Sequence, residues 1–124
     1  LKLSDKQISF TTTICRFILI LNDHGYGVVV GEAQRPEEMA KIYAERGIGT
    51  QNSNHIIKLA WDLLLYKNGI YLTDSKEYEF AGRIWKSMPQ PEGYICCWGG
   101  DFKDKQGNPK PDGNHFSYEH LGYK

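Results

Sequence analysis

The chain has 124 residues, enough for one core and too few for two, so a single domain spanning 1–124 is expected. Lys+Arg and Asp+Glu both count 15, and this zero formal net charge excludes the basic excess of a general nucleic-acid or membrane-surface binder. Three cysteines, two of them adjacent at Cys96-Cys97, with no CxxC pair, exclude a disulfide framework and a thiolate zinc knuckle, and indicate folding in a reducing compartment.

In chain order, Ser4 is expected to cap a first helix, with Gln7 as its reciprocal partner. Its inward face should carry Ile8, Ile14, Phe17, Ile18 and Leu21. The apolar stretch Phe17–Leu21 is too short to span a bilayer, so no membrane insertion is expected, and no signal peptide is visible. Tyr26–Val30 reads as a β-branched strand. Pro36 suits the first turn of a second helix, with Glu37 and Glu38 at its positive end and Met39, Ile42 and Tyr43 on one side. That helix should stop near Arg46-Gly47, followed by a polar loop over Gly49–Asn54.

Leu59–Tyr66 reads as a strand, Lys67-Asn68-Gly69 as a hairpin turn and Ile70–Leu72 as the return strand. Thr73-Asp74-Ser75 opens a third helix, about Lys76–Met88, with Tyr78, Ala81, Ile84 and Trp85 facing inward. Pro89 and Pro91 end it. Tyr94–Trp98 is a short strand in which one of Cys96 and Cys97 should face in and the other out. Gly99-Gly100 breaks it. A loop rich in Gly, Pro and Lys runs from Asp101 to Asp112, and His115–Tyr118 is a last strand. Mostly antiparallel strands with helices on one side make the class α+β.

Within the third apolar run sits one carboxylate, Asp62. A buried carboxylate is costly unless paired or bound to a metal. His55 lies upstream, and Asp112-Gly113-Asn114-His115-Phe116 supplies a second His. Two His and one Asp form a three-ligand zinc set with a fourth position left for water. Asp112 is then available to move protons. The odd separation of His55 and Asp62 would put them on opposite faces of a regular strand. They can share a metal if His55 precedes the strand or a bulge intervenes. The bland readings are a satisfied core or loop His, a turn Asp at Pro111-Asp112-Gly113, and solvated His24 and His120.

Ser53-x-His55-x(4)-Ala60-x-Asp62 resembles the S-x-H-x-x-G-x-A-x-D signature of the LAS-type zinc peptidases. Trp98-Gly99-Gly100-Asp101-Phe102, followed by Asp112-x-x-His115-Phe116, is similar to that family's C-terminal signature. Gly31–Glu38 is similar to its G-x-R-x-x-E stretch. Lys58 stands where the family usually has Gly, Trp61 is bulky for its position, and the loop from Asp101 to Asp112 is longer than in compact members. The resemblance implies a LAS/hedgehog-type fold and a zinc peptidase of peptidoglycan stem peptides. It also implies zinc ligands His55, Asp62 and His115, Asp112 as general base and then acid, Arg35 at the oxyanion or a substrate carboxylate, and Ser53 beside the ligands or the substrate.

The length and the missing signal resemble phage or prophage endolysins of the family: monomers made in the host cytoplasm and acting at the cell wall. An L-alanyl-D-glutamate endopeptidase is the first expectation and a D-Ala-D-Ala carboxypeptidase the second. A non-catalytic wall-binding or phage structural module on the same scaffold is the rival.

Overall fold

The structure is a computed structural model that describes residues 2–33, 54–55, 57–90 and 93–124. The expected second helix from Pro36, most of the polar loop before Asn54, Arg35, Ser53 and Pro91 lie outside the described residues.

Helix α1 spans Leu3–Asp23. It begins one residue before Ser4: Lys2 occupies the N-cap position, and its backbone N–H is met by the Asp5 carboxylate at 3.3 Å. Asp5, not Gln7, is therefore the residue that reaches back to the N-cap backbone, and its carboxylate sits at the positive end of the helix. Its buried stripe is Phe10, Thr13, Ile14, Phe17 and Leu21, whereas Ile8 is 66% exposed. The spacing of the large apolar residues on this stripe is alternately four and three, one face of a helix.

Strand β1 (Tyr26–Val30) follows, then β2 (Ala60–Lys67), β3 (Ile70–Tyr71), β4 (Cys96–Trp98) and β5 (His115–Tyr118). The pairings between them are all antiparallel, in the order β1-β2-β5-β4, with β3 paired to β2. The β2–β3 turn has Asn68 at φ 52° and Gly69 at φ 77°, the left-handed pair that an Asn-Gly hairpin uses. The predicted third helix is two pieces. A 3-10 turn covers Ser75–Tyr78, capped by Asp74, and helix α2 covers Glu79–Lys86. The Tyr78 hydroxyl explains the tight first turn. It donates to Leu72 O at 2.8 Å and accepts from Leu65 N at 3.1 Å, tying the turn to the β2–β3 hairpin.

The core lies between the helices and one face of the sheet. Phe10 and Phe17 of α1 meet Trp85 of α2, and these rings pack on Phe116 and Tyr118 of β5. Trp85 Nε1 donates to Cys97 O and Ser117 O, so the largest core side chain leaves no polar atom unmet. The fold is thus α+β, a small antiparallel sheet with α1 and α2 on one face. Because side chains alternate along β5, His115 and Ser117 point to the other face. Among the described residues no helix is long and apolar enough to cross a membrane.

Candidate metal centre

Register brings the first two members of the site together. In the β2–β5 ladder Asp62 stands directly opposite His115, so their side chains emerge side by side on the sheet face away from the helices. His55 arrives from the segment before β2. Leu59 N–H donates to Asn54 O at 2.9 Å, and the Asn54 side chain donates to Tyr118 O at 2.8 Å and Tyr123 O at 3.0 Å. These bonds hold the turn against β5. His55 therefore precedes the strand, which removes the parity conflict between its position and that of Asp62. Lys58, within this turn, sits at φ 60°, the left-handed region that favours glycine.

The three side chains converge. His55 Nε2 is 3.2 Å from Asp62 Oδ1, and His115 Nδ1 is 3.7 Å from the same oxygen. The two imidazole rings are 5.0 Å apart and nearly perpendicular. One ligand atom from each of His55, Asp62 and His115 lies within 4.8 Å of the other two. Tetrahedral zinc with bonds of ~2 Å would set its ligand atoms roughly 3.3 Å apart, close to the two short edges here.

The donor set fits such an ion. Asp62 Oδ1 is buried and has no aligned hydrogen-bond partner among the described residues. A buried carboxylate oxygen at the focus of two imidazoles is the group that a cation would satisfy. Burial works to raise the Asp62 carboxyl, but the contacts with His115 and His55 outweigh it and hold the group at about 2. The Asp62 carboxylate is therefore ionised at any physiological pH.

Asp112 is exposed and is not a member of the convergent group. Its backbone is fixed: Asp112 N–H donates to Gly99 O at 2.8 Å, and Asp112 O accepts from His115 N–H at 3.1 Å. Asp112 borders a cavity of about 150 Å³ together with Tyr71, Leu72, Ser75 and Tyr78.

No protein-family model and no curated protein matches the chain by sequence. By structure, the chain is similar to the Serratia marcescens L-Ala D-Glu endopeptidase ChiX, with TM-score 0.62 and 20% identity over 94% of this chain and 85% of that one. At that identity the likeness shows a shared fold.

The role of the stretch Trp98-Gly99-Gly100-Asp101 becomes visible only in three dimensions. Trp98 Nε1 donates to Gly113 O at 2.7 Å, and its ring is clasped between Gly82 and Gly100, where a Cβ on either would overlap it. Gly113 N–H is met from the other side by Ser75 Oγ at 3.0 Å. The indole is thus a strut that fixes the loop delivering His115. Asp101 pairs with Lys86 at 2.7 Å, in keeping with a loop-fixing role. Phe102 lies against the His115 ring at 5.1 Å.

Cys96 and Cys97 alternate as expected, Cys96 joining the core and Cys97 lying on the face of Ser117, but both are buried, 8% exposed each. His24 is exposed, and His120 is half-buried with Nδ1 3.4 Å from Lys6 Nζ. Sequence reasoning missed Glu32, whose Oε1 is 4.0 Å from His55 Nδ1. Its signal was available: an acid at the end of a strand paired to the strand that carries Asp62.

Proposed function

We propose that this protein is a zinc-dependent peptidase of peptidoglycan stem peptides, an L-Ala–D-Glu endopeptidase in the first reading and a D-Ala–D-Ala carboxypeptidase in the alternative. The observation that carries this reading is the convergence of His55, Asp62 and His115 in a fold shared with an L-Ala D-Glu endopeptidase. Two imidazoles and one carboxylate would hold the ion and leave room for water. When bound, zinc supplies a water acidic enough to lose its proton near neutrality and a Lewis acid for the scissile carbonyl.

The remaining chemistry belongs to the chain. Asp112, placed by its backbone bonds to Gly99 and His115, would take the proton from the attacking water and return it to the leaving amine. Arg35 would face a substrate carboxylate or the developing oxyanion, with Ser53 beside the ligands. The place of action is the bacterial cell wall, and the biological setting that best suits this reading is a phage or prophage endolysin acting as a monomer.

Digestion of purified peptidoglycan with and without a zinc chelator, with fragments identified by mass spectrometry, tests the reading. Chelator-sensitive release of new L-Ala ends establishes the endopeptidase, and loss of terminal D-Ala alone establishes the carboxypeptidase. Asp112→Asn should keep zinc and lose at least ~100-fold in turnover. His55→Ala or His115→Ala should lose both. Zinc-loaded protein that cuts no wall chemotype would refute the enzyme in favour of a wall-binding module.

A further inference from the structure

The β1–β2 ladder does not end at Val30 opposite Leu63. It continues with a fault. Gly31 N–H donates to Asp62 O at 2.8 Å, while Asp62 N–H donates to Glu32 O at 2.8 Å. Two residues, Gly31 and Glu32, thus share the two backbone bonds of one partner. This is the pattern of a β-bulge, a device that re-aims a side chain. In an unbroken ladder Gly31 would take both bonds of Asp62, and Glu32, one residue on, would point to the opposite face of the sheet. The bulge lets Glu32 share the face of Asp62, and its carboxylate reaches the back of the His55 ring.

The two ring nitrogens of His55 have distinct surroundings. Nε2 faces Asp62 Oδ1 at 3.2 Å, and Nδ1 faces Glu32 Oε1 at 4.0 Å. A neutral imidazole that offers Nε2 to a cation carries its proton on Nδ1, and a carboxylate behind Nδ1 favours that tautomer. His115 is arranged differently. Its Nδ1 faces Asp62, its buried Nε2 has no hydrogen-bond partner among the described residues, and the Phe102 ring supports it by contact.

We propose that Glu32 is the positioning residue of the metal centre, brought there by the Gly31–Glu32 bulge to orient His55 and hold its proton on Nδ1. This rests on the reading of His55, Asp62 and His115 as metal ligands. Glu32 faces His55 Nδ1, not the Nε2 that faces Asp62, and so would act through His55. Its side chain is 31% exposed, so replacing it leaves no cavity in the core.

The test is zinc affinity, measured by competition with a chromophoric chelator at fixed pH, for the wild type, Glu32→Ala, Glu32→Gln and Glu32→Asp. Nitrogen-15 NMR of the zinc-loaded imidazoles and the unfolding midpoint of the metal-free proteins are measured alongside. Glu32→Ala is expected to weaken zinc 10–100-fold with the metal-free midpoint unchanged. Glu32→Gln, whose amide oxygen can accept a hydrogen bond, should recover part of that loss, and His55 in the wild type should show a protonated Nδ1. Affinity of Glu32→Ala within twofold of a zinc-binding wild type would overturn the proposal. So would a wild-type His55 protonated on Nε2. If the wild type bound no zinc, the metal reading itself would fall, a result distinct from either.

Discussion

The carbonyl oxygen of Asp112 occupies the space where a side chain on Gly99 would begin, and the His115 Cβ lies 2.8 Å from the same point. The contact joins two segments that the sequence separates by a long loop. It is locked by the hydrogen bonds from Asp112 N–H and Phe102 N–H to Gly99 O. The glycine is needed here for close approach; its φ is not in the left-handed region.

Gly99→Ala should therefore damage the site more than the fold. Backbone is not a flexible neighbour, so the loop from Asp112 to His115 must move, at a cost of about 1–3 kcal/mol. His115 moves with it. Calorimetry should show a folded but less stable protein, and zinc titration should show affinity reduced by more than tenfold. A variant with unchanged zinc affinity would mean that the loop has room the structure does not show.

Lys58 carries the opposite lesson. The signature around His55 usually has glycine where this chain has lysine, yet the backbone keeps the glycine conformation at φ 60°. A non-glycine residue held there costs about 1–2 kcal/mol, offset in part by the greater freedom of glycine in the unfolded chain. Lys58→Gly should leave stability unchanged or raise it by up to about 1 kcal/mol, whereas the β-branched Lys58→Val should lower it. Urea unfolding of the three proteins checks the order, and a destabilising Lys58→Gly would contradict the local geometry.

Much of this was legible in the sequence because local chemistry and tertiary fold agree. β1 and β5 have the predicted bounds, and Asn68-Gly69 makes the predicted hairpin. His55, Asp62 and His115 meet because the alternation of β5 and a turn before β2 leave few other outcomes. What was not legible depends on partners distant in sequence. No propensity places Trp98 between Gly82 and Gly100, breaks the third helix for the Tyr78 hydroxyl, or turns Glu32 toward His55 by a bulge. The alternation held at Cys96-Cys97, with Cys96 in the core and Cys97 on the face of Ser117, but it did not show that the outer one would be buried as well.

The cysteines should accordingly differ in reactivity. Burial pushes the Cys96 thiol up to about 12, and burial raises Cys97 as well, so neither offers thiolate near neutrality. Cys15 is exposed on α1. Brief treatment of the folded protein with a thiol reagent at pH 7.5 (about 7–8 is the useful range) should label one cysteine, and peptide mapping should place it at Cys15. All three should react in denaturant. Rapid labelling of Cys97 in the folded protein would contradict its burial beside Ser117.

Asp62 should leave a signature in acid. Its folded value, about 2, lies below the ordinary 3.8, because the two histidines favour the charged form more than burial disfavours it. A depressed carboxylate contributes stability that is fully present above the unfolded value and is lost as pH falls through the folded one. In metal-free protein this contribution is about 2 kcal/mol, present at pH above about 4 and gone near pH 2. Asp62→Asn has no such proton to bind. Urea unfolding of the metal-free wild type and this variant, followed from about pH 5 to 2, should show wild-type stability falling more steeply by about that amount. Parallel curves would mean that the contacts of Asp62 with His55 and His115 do not persist in the absence of the ion, and that the metal assembles the group it binds.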